Sequence, residues 1–338
     1  MTTSTPGPTS TNEPRATTNI SVDGDTGSAY GVAVTELAPD LAAMTTTACP
    51  GSVIEGIVPR SGGQLSTVFE VRRRAAAPVI VKLYEPEWAW KQAKEVFVYG
   101  LLAEPLTGSV PAVLHAEPAG ETFGRAFTVL TKVPGVPLSE SGELTPAEWT
   151  GVYTQLGALL AEIHRIPQPA YGYLTDEVLE PLPTNDAYMR RQFAKKLQEF
   201  EELGGDPALH QAIDRYVEVR AGLFDRCPAP ALCHNDFHEG NVLVDPNGWR
   251  VTGFIDVENA IAADPLIDLA KTECYSIRAS ADKLTGLAQG YGDLPTDWRE
   301  RTTLYRLYHA LELWDWFRLI GTTEPLDGIA ADMSALVR

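Results

Sequence analysis

The chain has 338 residues, of which 44% are hydrophobic and 21% are charged, which is typical of a globular protein with one two-lobed domain or two domains. Acidic residues outnumber basic ones by 45 to 27, giving a formal net charge of −18. This charge opposes binding to the phosphate backbone of nucleic acids and to anionic membranes, so we expect neither as a partner. We expect a small-molecule substrate and a monomer or homodimer.

The cysteines and the N-terminus bear on the compartment. Cys49, Cys227, Cys233 and Cys274 show no paired zinc spacing, and four cysteines in a chain of this length are not a disulfide framework. The N-terminus lacks a basic segment leading into an apolar run, and no stretch approaches about 18 consecutive apolar residues. We therefore expect a cytoplasmic protein.

The first part of the chain divides into a tail and a strand-rich lobe. Residues 1–48 are predicted to be a largely disordered tail, rich in Thr, Ser, Pro and Gly at its start, with a short helix leading into the fold. Residues 49–133 contain five short β-branched segments separated by turn residues, and 87–104 has the apolar spacing of a helix. This predicts an N-lobe with a five-stranded antiparallel sheet and one helix.

Residues 134–338 are predicted to form a mainly helical C-lobe, so the fold class is α+β with two lobes. Thr145 and Glu148 flank a proline at the first helical position, which is the pattern of a capping box. The chain ends in helices predicted near 264–289, 295–320 and 325–337.

Between these helices lies the polar stretch LCHNDFHEGNVLV, residues 232–244. One interpretation is a zinc site, in which His234, Asp236 and His238 supply ligands from alternate positions and Asp256 completes the set. Short clusters of His and Asp also arise by chance, so this interpretation depends on the rest of the chain.

A phosphoryl-transfer site accounts for more of the same residues. Asp236 is followed five positions later by Asn241, the spacing of a catalytic acid and a metal-binding asparagine in kinases. Two strands joined by a Pro-Asn-Gly turn place Asp256 at the end of a hairpin near Asn241, and both side chains offer the oxygen ligands that magnesium prefers. His238 lies two positions after the acid, where protein kinases carry a lysine that meets the transferred phosphate.

The N-lobe contains candidates for holding a nucleotide. Lys82 lies in an apolar strand and needs a partner, and Glu95 in the following helix is the expected one, with Glu104 as an alternative nearer the helix end. The turn formed by Ser61, Gly62 and Gly63 could cover phosphates with its backbone N–H groups, although an ordinary hairpin turn is an equal alternative. The segment from Thr131 through Lys132 to Val133 is the expected hinge whose backbone meets the base.

The segments HNDFHEGNVLVD and FIDVENAIAADPLIDLA resemble the signature of the aminoglycoside phosphotransferase family, and the resemblance covers about residues 50–320. It implies a protein-kinase-like fold and the use of ATP or GTP with Mg²⁺. It also implies a catalytic base at Asp236, metal ligands at Asn241 and Asp256, and phosphate contacts from Lys82. Asn235 departs from the family pattern, in which glycine is common at this position.

The expected reaction is phosphorylation of a hydroxyl group on a small molecule, with an antibiotic as the leading class of acceptor. A housekeeping kinase for choline, an amino acid or a sugar is the alternative, and a catalytically silent kinase-like binding protein is another. Candidate acceptor contacts are Glu258, Glu312, Asp315 and Trp316. The three acids could meet a cationic substrate, although each could equally be a solvated surface acid.

Overall fold

The computed structural model describes residues 26–60, 66–120 and 123–338, with side-chain burial described from residue 37 onwards. A helix, α1 (Thr26–Ala48), precedes the sheet. The N-lobe strands are β1 (Ile54–Arg60), β2 (Ser66–Arg73), β3 (Ala76–Tyr84), β4 (Val113–Glu117) and β5 (Ala126–Thr131). They pair antiparallel in the order β1-β2-β3-β5-β4, which confirms the predicted five-stranded sheet.

Successive side chains of a strand point to opposite faces of the sheet, and the two faces pack against different helices. On β3, Val79, Val81 and Leu83 are buried in a cluster with Leu41 and Met44 of α1. Burial of a side chain of this size stabilises the fold by about 1.5–3 kcal/mol. Residues 41–48 therefore belong to the packed N-lobe, whereas the sequence placed them in the tail, although it predicted a short helix leading into the fold. Residues 1–25 lie outside the described part.

The opposite face of the sheet meets the second helix, α2 (Trp90–Leu102). Gln92 of α2 donates hydrogen bonds to the backbone carbonyls of Glu117 and Phe127, at 2.8 and 2.5 Å, which fasten the helix to the sheet. Val98 and Tyr99 lie further along α2 and join the core of the C-lobe. The helix therefore contacts both lobes.

The C-lobe is mainly helical, as predicted. Its helices are α3 (Pro146–Ile163), α4 (Asn185–Glu202), α5 (Pro207–Arg220), α6 (Leu266–Thr272), α7 (Ala281–Tyr291), α8 (Trp298–Leu319) and α9 (Leu326–Leu336). Its strands are β6 (Val136–Pro137), β7 (Tyr171–Leu174), β8 (Val178–Leu182), β9 (Ala231–Cys233), β10 (Val242–Asp245), β11 (Arg250–Phe254) and β12 (Ile261–Ala263). The predicted capping box at Thr145 and Glu148 is formed. Among the described residues, no helix has the length and apolar character to cross a membrane.

The helix predicted over 264–289 is divided into α6 and α7. After α6, one turn of π-helix over Glu273–Ile277 ends at Arg278, whose φ of 51° lies in the left-handed region. Ser280 then caps α7 by accepting a hydrogen bond from the backbone of Lys283. The break lets α7 pack along α3, where Gly157, Gly286 and Gly290 allow the two backbones to approach closely.

The interface between α4 and α8 buries Asp315, one of the predicted acceptor contacts. Its side chain is 1% exposed, and neither carboxylate oxygen has a hydrogen-bond partner among the described residues. Lys196 Nζ lies 3.6 Å away. Burial raises the pKa of Asp315 to about 7, with Lys196 opposing the shift and Glu199 adding to it. The structure therefore assigns Asp315 to helix packing, and the expectation of a solvated surface acid was wrong.

This carboxyl group makes stability depend on pH. Because its pKa is raised in the folded state, the folded protein binds the proton more tightly, and stability is lost as pH rises from the ordinary value of 3.8 to about 7. Asp315→Asn cannot ionise, so its melting temperature should exceed that of the wild type by several degrees at pH 8 and by clearly less at pH 5. Exposed Asp214→Asn is the control, for which the difference should not vary with pH. An Asp315→Asn difference that is equal at both pH values would contradict the assignment.

Candidate active site

The ammonium group of Lys82 lies between the two lobes. Its side chain is 8% exposed, and Nζ lies 3.0 Å from Glu95 Oε2 on α2, 3.1 Å from Glu258 Oε2 and 3.4 Å from Asp256 Oδ1. The predicted pairing of Lys82 with Glu95 is therefore present in the structure. The alternative partner, Glu104, lies exposed beyond the end of α2.

The surroundings fix the charges of this group. Burial alone would lower the pKa of Lys82, but Glu95 and Asp256 hold it well above its ordinary value. Burial also raises the pKa of Glu95, which Lys82 opposes. Glu95 accepts a short hydrogen bond from the Tyr84 hydroxyl, and Glu258 forms a second ion pair with Lys91 at 3.4 Å. Lys82 therefore stays cationic at the end of the cleft where Asp256 opens to solvent.

The hairpin of β10 and β11 brings the two predicted metal ligands to one place. Val242 pairs with Phe254, and the Ile255 N–H donates to the Asn241 carbonyl at 2.9 Å. The Asp256 N–H donates to Tyr99 Oη on α2 at 3.2 Å, which fixes the backbone where Asp256 leaves the strand. The predicted hairpin is therefore formed and positions Asp256 at its end.

The donor set at this hairpin fits a magnesium ion. The Asn241 amide nitrogen donates to the Asp236 carbonyl at 2.9 Å, which leaves the amide oxygen without a hydrogen bond in the described part of the chain. The Asp256 side chain is 29% exposed, so its carboxylate can be reached from the cleft. Amide and carboxylate oxygens are the hard ligands that Mg²⁺ takes together with substrate phosphates.

The Asp236 carboxylate is held beside Asn241, whose Nδ2 lies 3.5 Å from its Oδ2. Its Oδ2 accepts from Asn259 Nδ2 at 3.2 Å, and His238 Nε2 lies 3.7 Å from Oδ1. The Gly240 N–H donates to His238 Nδ1 at 3.0 Å, and Asn241 Nδ2 lies 3.4 Å from His238 Nε2. The Asp236 side chain is 22% exposed. A hydrogen-bonded yet accessible carboxylate of this kind can orient a hydroxyl group and accept its proton.

The zinc interpretation does not fit the structure. His234 is buried, its Nε2 faces the Ile255 carbonyl at 3.1 Å, and its Nδ1 accepts from the Asp236 N–H at 3.2 Å. Both ring nitrogens are thus used in bracing the loop. Burial lowers the pKa of His234, in keeping with a neutral imidazole. Among the described residues, the ligand atoms that do cluster within 4.8 Å belong to His164, Cys233 and Asp268.

That cluster has a structural task. The Asp268 carboxylate accepts from the N–H groups of His234 and Asn235, each at 2.7 Å, and His164 Nε2 lies 3.1 Å away. Burial raises the pKa of the Cys233 thiol well above its usual range. Asp268 therefore holds the backbone that precedes the candidate base.

The predicted nucleotide-binding segments are described only in part. Ser61, Gly62 and Gly63 lie outside the described residues. Thr131 ends β5, where its side chain accepts from the Ala112 N–H at 2.8 Å, and Val133 is buried. Lys132 Nζ pairs with Glu70 at 2.8 Å. Although burial raises the pKa of Glu70, hydrogen bonds from Lys132 and Arg60 lower it to about 2.

The remaining candidate acceptor contacts lie in different surroundings. Glu258 belongs to the buried Lys82 group, so it was wrong to expect a possible surface acid there. The side chain of Glu312 is 23% exposed and lies 3.8 Å from Lys271 Nζ, whereas Trp316 is 43% exposed. Sequence reasoning missed Lys91, Asn259 and Lys271, because nothing in the local pattern distinguishes them from ordinary polar residues.

Comparison with known proteins agrees with this geometry. The model of the phosphotransferase enzyme family matches residues 56–304. Probable ketoamine kinase YniA of Escherichia coli K12 is 25% identical over 280 residues, which are 80% of this chain and 91% of that protein. Acyl-CoA dehydrogenase family member 11 of Gallus gallus is 25% identical over 218 residues, which are 62% of this chain but 25% of that protein. The chain therefore spans about a quarter of the chicken relative.

Solved structures share the fold. Aminoglycoside phosphotransferase APH(4)-Ia superposes with a TM-score of 0.68 at 17% identity, covering 89% of this chain and 98% of that one. A putative fructosamine-3-kinase from Thermobifida fusca superposes with a TM-score of 0.65 at 18% identity, covering 88% of this chain and 98% of that one. Such identities establish the two-lobed kinase-like fold alone. The family model matches well over half of the sequence, and on that ground the chain belongs to the phosphotransferase enzyme family, as its resemblance to the aminoglycoside phosphotransferases implied.

Proposed function

We propose that this phosphotransferase transfers the terminal phosphoryl group of ATP or GTP, with Mg²⁺, to a hydroxyl group of a small molecule. The observation that carries the proposal is the convergence of Lys82, Glu95 and Asp256 at one end of a cleft whose other residues include Asn241 and Asp236. Nucleotides occur in related solved structures, which include complexes with GDP, ADP and AMP-PNP. We place the enzyme in the cytoplasm as a monomer or homodimer.

The residues divide the chemistry between them. Lys82, positioned by Glu95, would neutralise phosphate charge, and Asn241 and Asp256 would hold Mg²⁺. When bound there, the metal supplies positive charge to the phosphate oxygens. Asp236 would orient the acceptor hydroxyl and take its proton, while the imidazole of His238, 3.7 Å from Asp236, would contact the transferred phosphoryl group. Positioning and charge complementarity account for catalysis of this kind.

The acceptor is a hydroxyl-bearing metabolite or antibiotic. The sequence relatives that cover most of their own length are probable ketoamine kinases, which supports a metabolite. Solved structures with a similar fold include APH(4)-Ia with hygromycin B and APH(2")-IIIa with kanamycin, which keeps an antibiotic as the alternative. A nucleotide-consumption screen of ketoamines, amino acids, choline, aminoglycosides and macrolides, followed by mass spectrometry, would distinguish the classes. A nucleotide-binding protein that phosphorylates none of them would support a catalytically silent relative.

The role of Asp236 can be tested by Asp236→Asn, which keeps the shape of the side chain and removes the base. We expect turnover to fall by roughly 10²–10⁴-fold, the usual contribution of a general base. Nucleotide affinity, measured by calorimetry with Mg²⁺, should stay within about threefold of the wild type, because Asp236 is assigned to the acceptor hydroxyl and not to the nucleotide. A threefold change in affinity is well under the roughly 1.4 kcal/mol of a tenfold change. Exposed Asp214→Asn is the matched control. Undiminished turnover in Asp236→Asn would remove the residue from the mechanism.

The role of Glu95 is tested by Glu95→Gln. Without this carboxylate, Lys82 keeps Asp256 and Glu258 and is drawn towards them, away from the phosphates. We expect nucleotide affinity to weaken by about tenfold, or about 1.4 kcal/mol. The matched control is Glu104→Gln in the exposed turn just after the same helix, which should bind nucleotide like the wild type. Equal affinities for Glu95→Gln and the wild type would show that the pair does not position Lys82.

A further inference from the structure

The wall of the C-lobe beside Asp236 carries an ammonium group that the proposed chemistry does not use. Lys271 lies at the end of α6, and its side chain is 11% exposed. Its Nζ lies 3.8 Å from Glu312 Oε2 and 5.4 Å from the centre of the Tyr275 ring. In the described part of the chain Nζ makes no hydrogen bond, although an ammonium group has three N–H donors and no acceptor.

The position of Lys271 follows from how α6 supports the catalytic loop. Asp268 accepts from the N–H groups of His234 and Asn235, and Thr272 Oγ1 donates to the Phe237 carbonyl at 2.7 Å. Positions three and four apart lie on one face of a helix, so Lys271 shares the face of Asp268 that is turned towards Asp236. Burial lowers the pKa of Lys271, but the Glu312 and Asp236 carboxylates together with Tyr275 raise it above its ordinary value.

Glu312, the carboxylate that pairs with Lys271 at 3.8 Å, also has closer partners. Glu312 Oε1 accepts from the Tyr308 hydroxyl at 2.9 Å, and Glu312 Oε2 lies 2.7 Å from His309 Nδ1. His309 Nε2 lies 3.0 Å from the Ile267 carbonyl, so both ring nitrogens face oxygen atoms. Glu312 therefore has closer partners than Lys271, which retains donors for an anionic oxygen.

We propose that Lys271 is a specificity-determining residue that binds a carboxylate of the acceptor while Asp236 meets its hydroxyl. The acceptor class is then a hydroxyl compound that also carries a carboxylate, such as a sugar joined to an amino acid, and not a purely cationic molecule. This assignment rests on the proposed function. The same chemistry would suit an oxygen of the transferred phosphoryl group, which the experiment separates from an acceptor carboxylate.

The test compares acceptors that differ only in this charge. N-fructosylglycine and gluconate are assayed by nucleotide consumption against N-fructosylglycinamide and gluconamide, with kanamycin as a polycation. We expect wild-type kcat/KM to favour the carboxylate by about ten- to hundredfold, the usual value of a hydrogen bond to a charged group. Lys271→Met should remove this preference by lowering kcat/KM for the carboxylate acceptors. The value for the amide acceptors should stay within about threefold of that of the wild type, as expected where only the charged contact is lost. Lys271→Arg should retain the preference.

The controls separate the possible failures. Exposed Lys195→Met should behave like the wild type, and Lys271→Gln replaces Lys271→Met if the latter does not fold. Equal use of acid and amide by the wild type, or better use of kanamycin, would leave phosphotransfer intact and overturn the assignment. If Lys271→Met slows both acceptors and acceptor-independent ATP hydrolysis equally, the ammonium group serves the phosphoryl group and the assignment also fails. Phosphorylation of no acceptor at all would count against the proposed function itself.

Discussion

The ammonium group of Lys82 lies where three parts of the chain converge, and the geometry of the site depends on this charge. Its carboxylate partners come from α2 and from the segment after β11, so the sheet, the helix and the catalytic hairpin meet at one atom. Removing one partner of a buried ion pair typically costs about 3–5 kcal/mol, because the other charge is left without compensation. With three carboxylates present, Lys82 keeps its charge even if one of them turns to a metal ion. This surplus would leave Asp256 free to bind the proposed metal ion.

A second buried lysine shows that α2 is fastened to both lobes. Lys94 is fully buried with its Nζ 3.6 Å from the centre of the Tyr173 ring on β7, and Nζ has no hydrogen bond among the described residues. A desolvated cation–π contact is worth about 2 kcal/mol, less than the several kcal/mol that burying the ion costs. Burial accordingly lowers the pKa of Lys94 well below its ordinary value. Since Lys94 and Glu95 are neighbours on α2, the position of Glu95 depends on how the lobes meet.

The sequence predicted contacts best where they depend on a short local pattern, such as the spacing between two residues. The apolar strand around Lys82 predicted that this lysine needs a partner, and the five-residue step from Asp236 to Asn241 spans a loop that the hairpin closes. Contacts between distant segments could not be predicted in this way. Glu258 and Lys82 are 176 positions apart in the chain, and no local pattern pairs them. The helix predicted over 264–289 is divided at Arg278, whose backbone is left-handed. Arginine seldom adopts this conformation, so the residue type does not predict it.

The departure of Asn235 from the glycine common in the family has a structural reason. Its φ is 57°, in the left-handed region that glycine adopts freely and asparagine tolerates better than most residues. Asp268 holds this conformation by accepting the Asn235 N–H. A glycine would offer nothing further, whereas the Asn235 Nδ2 donates to the Asn259 carbonyl at 3.2 Å, and Asn259 Nδ2 in turn donates to Asp236 Oδ2. Asparagine at position 235 therefore keeps the left-handed turn of the loop. Its side chain also holds Asn259, which in turn positions the candidate base Asp236.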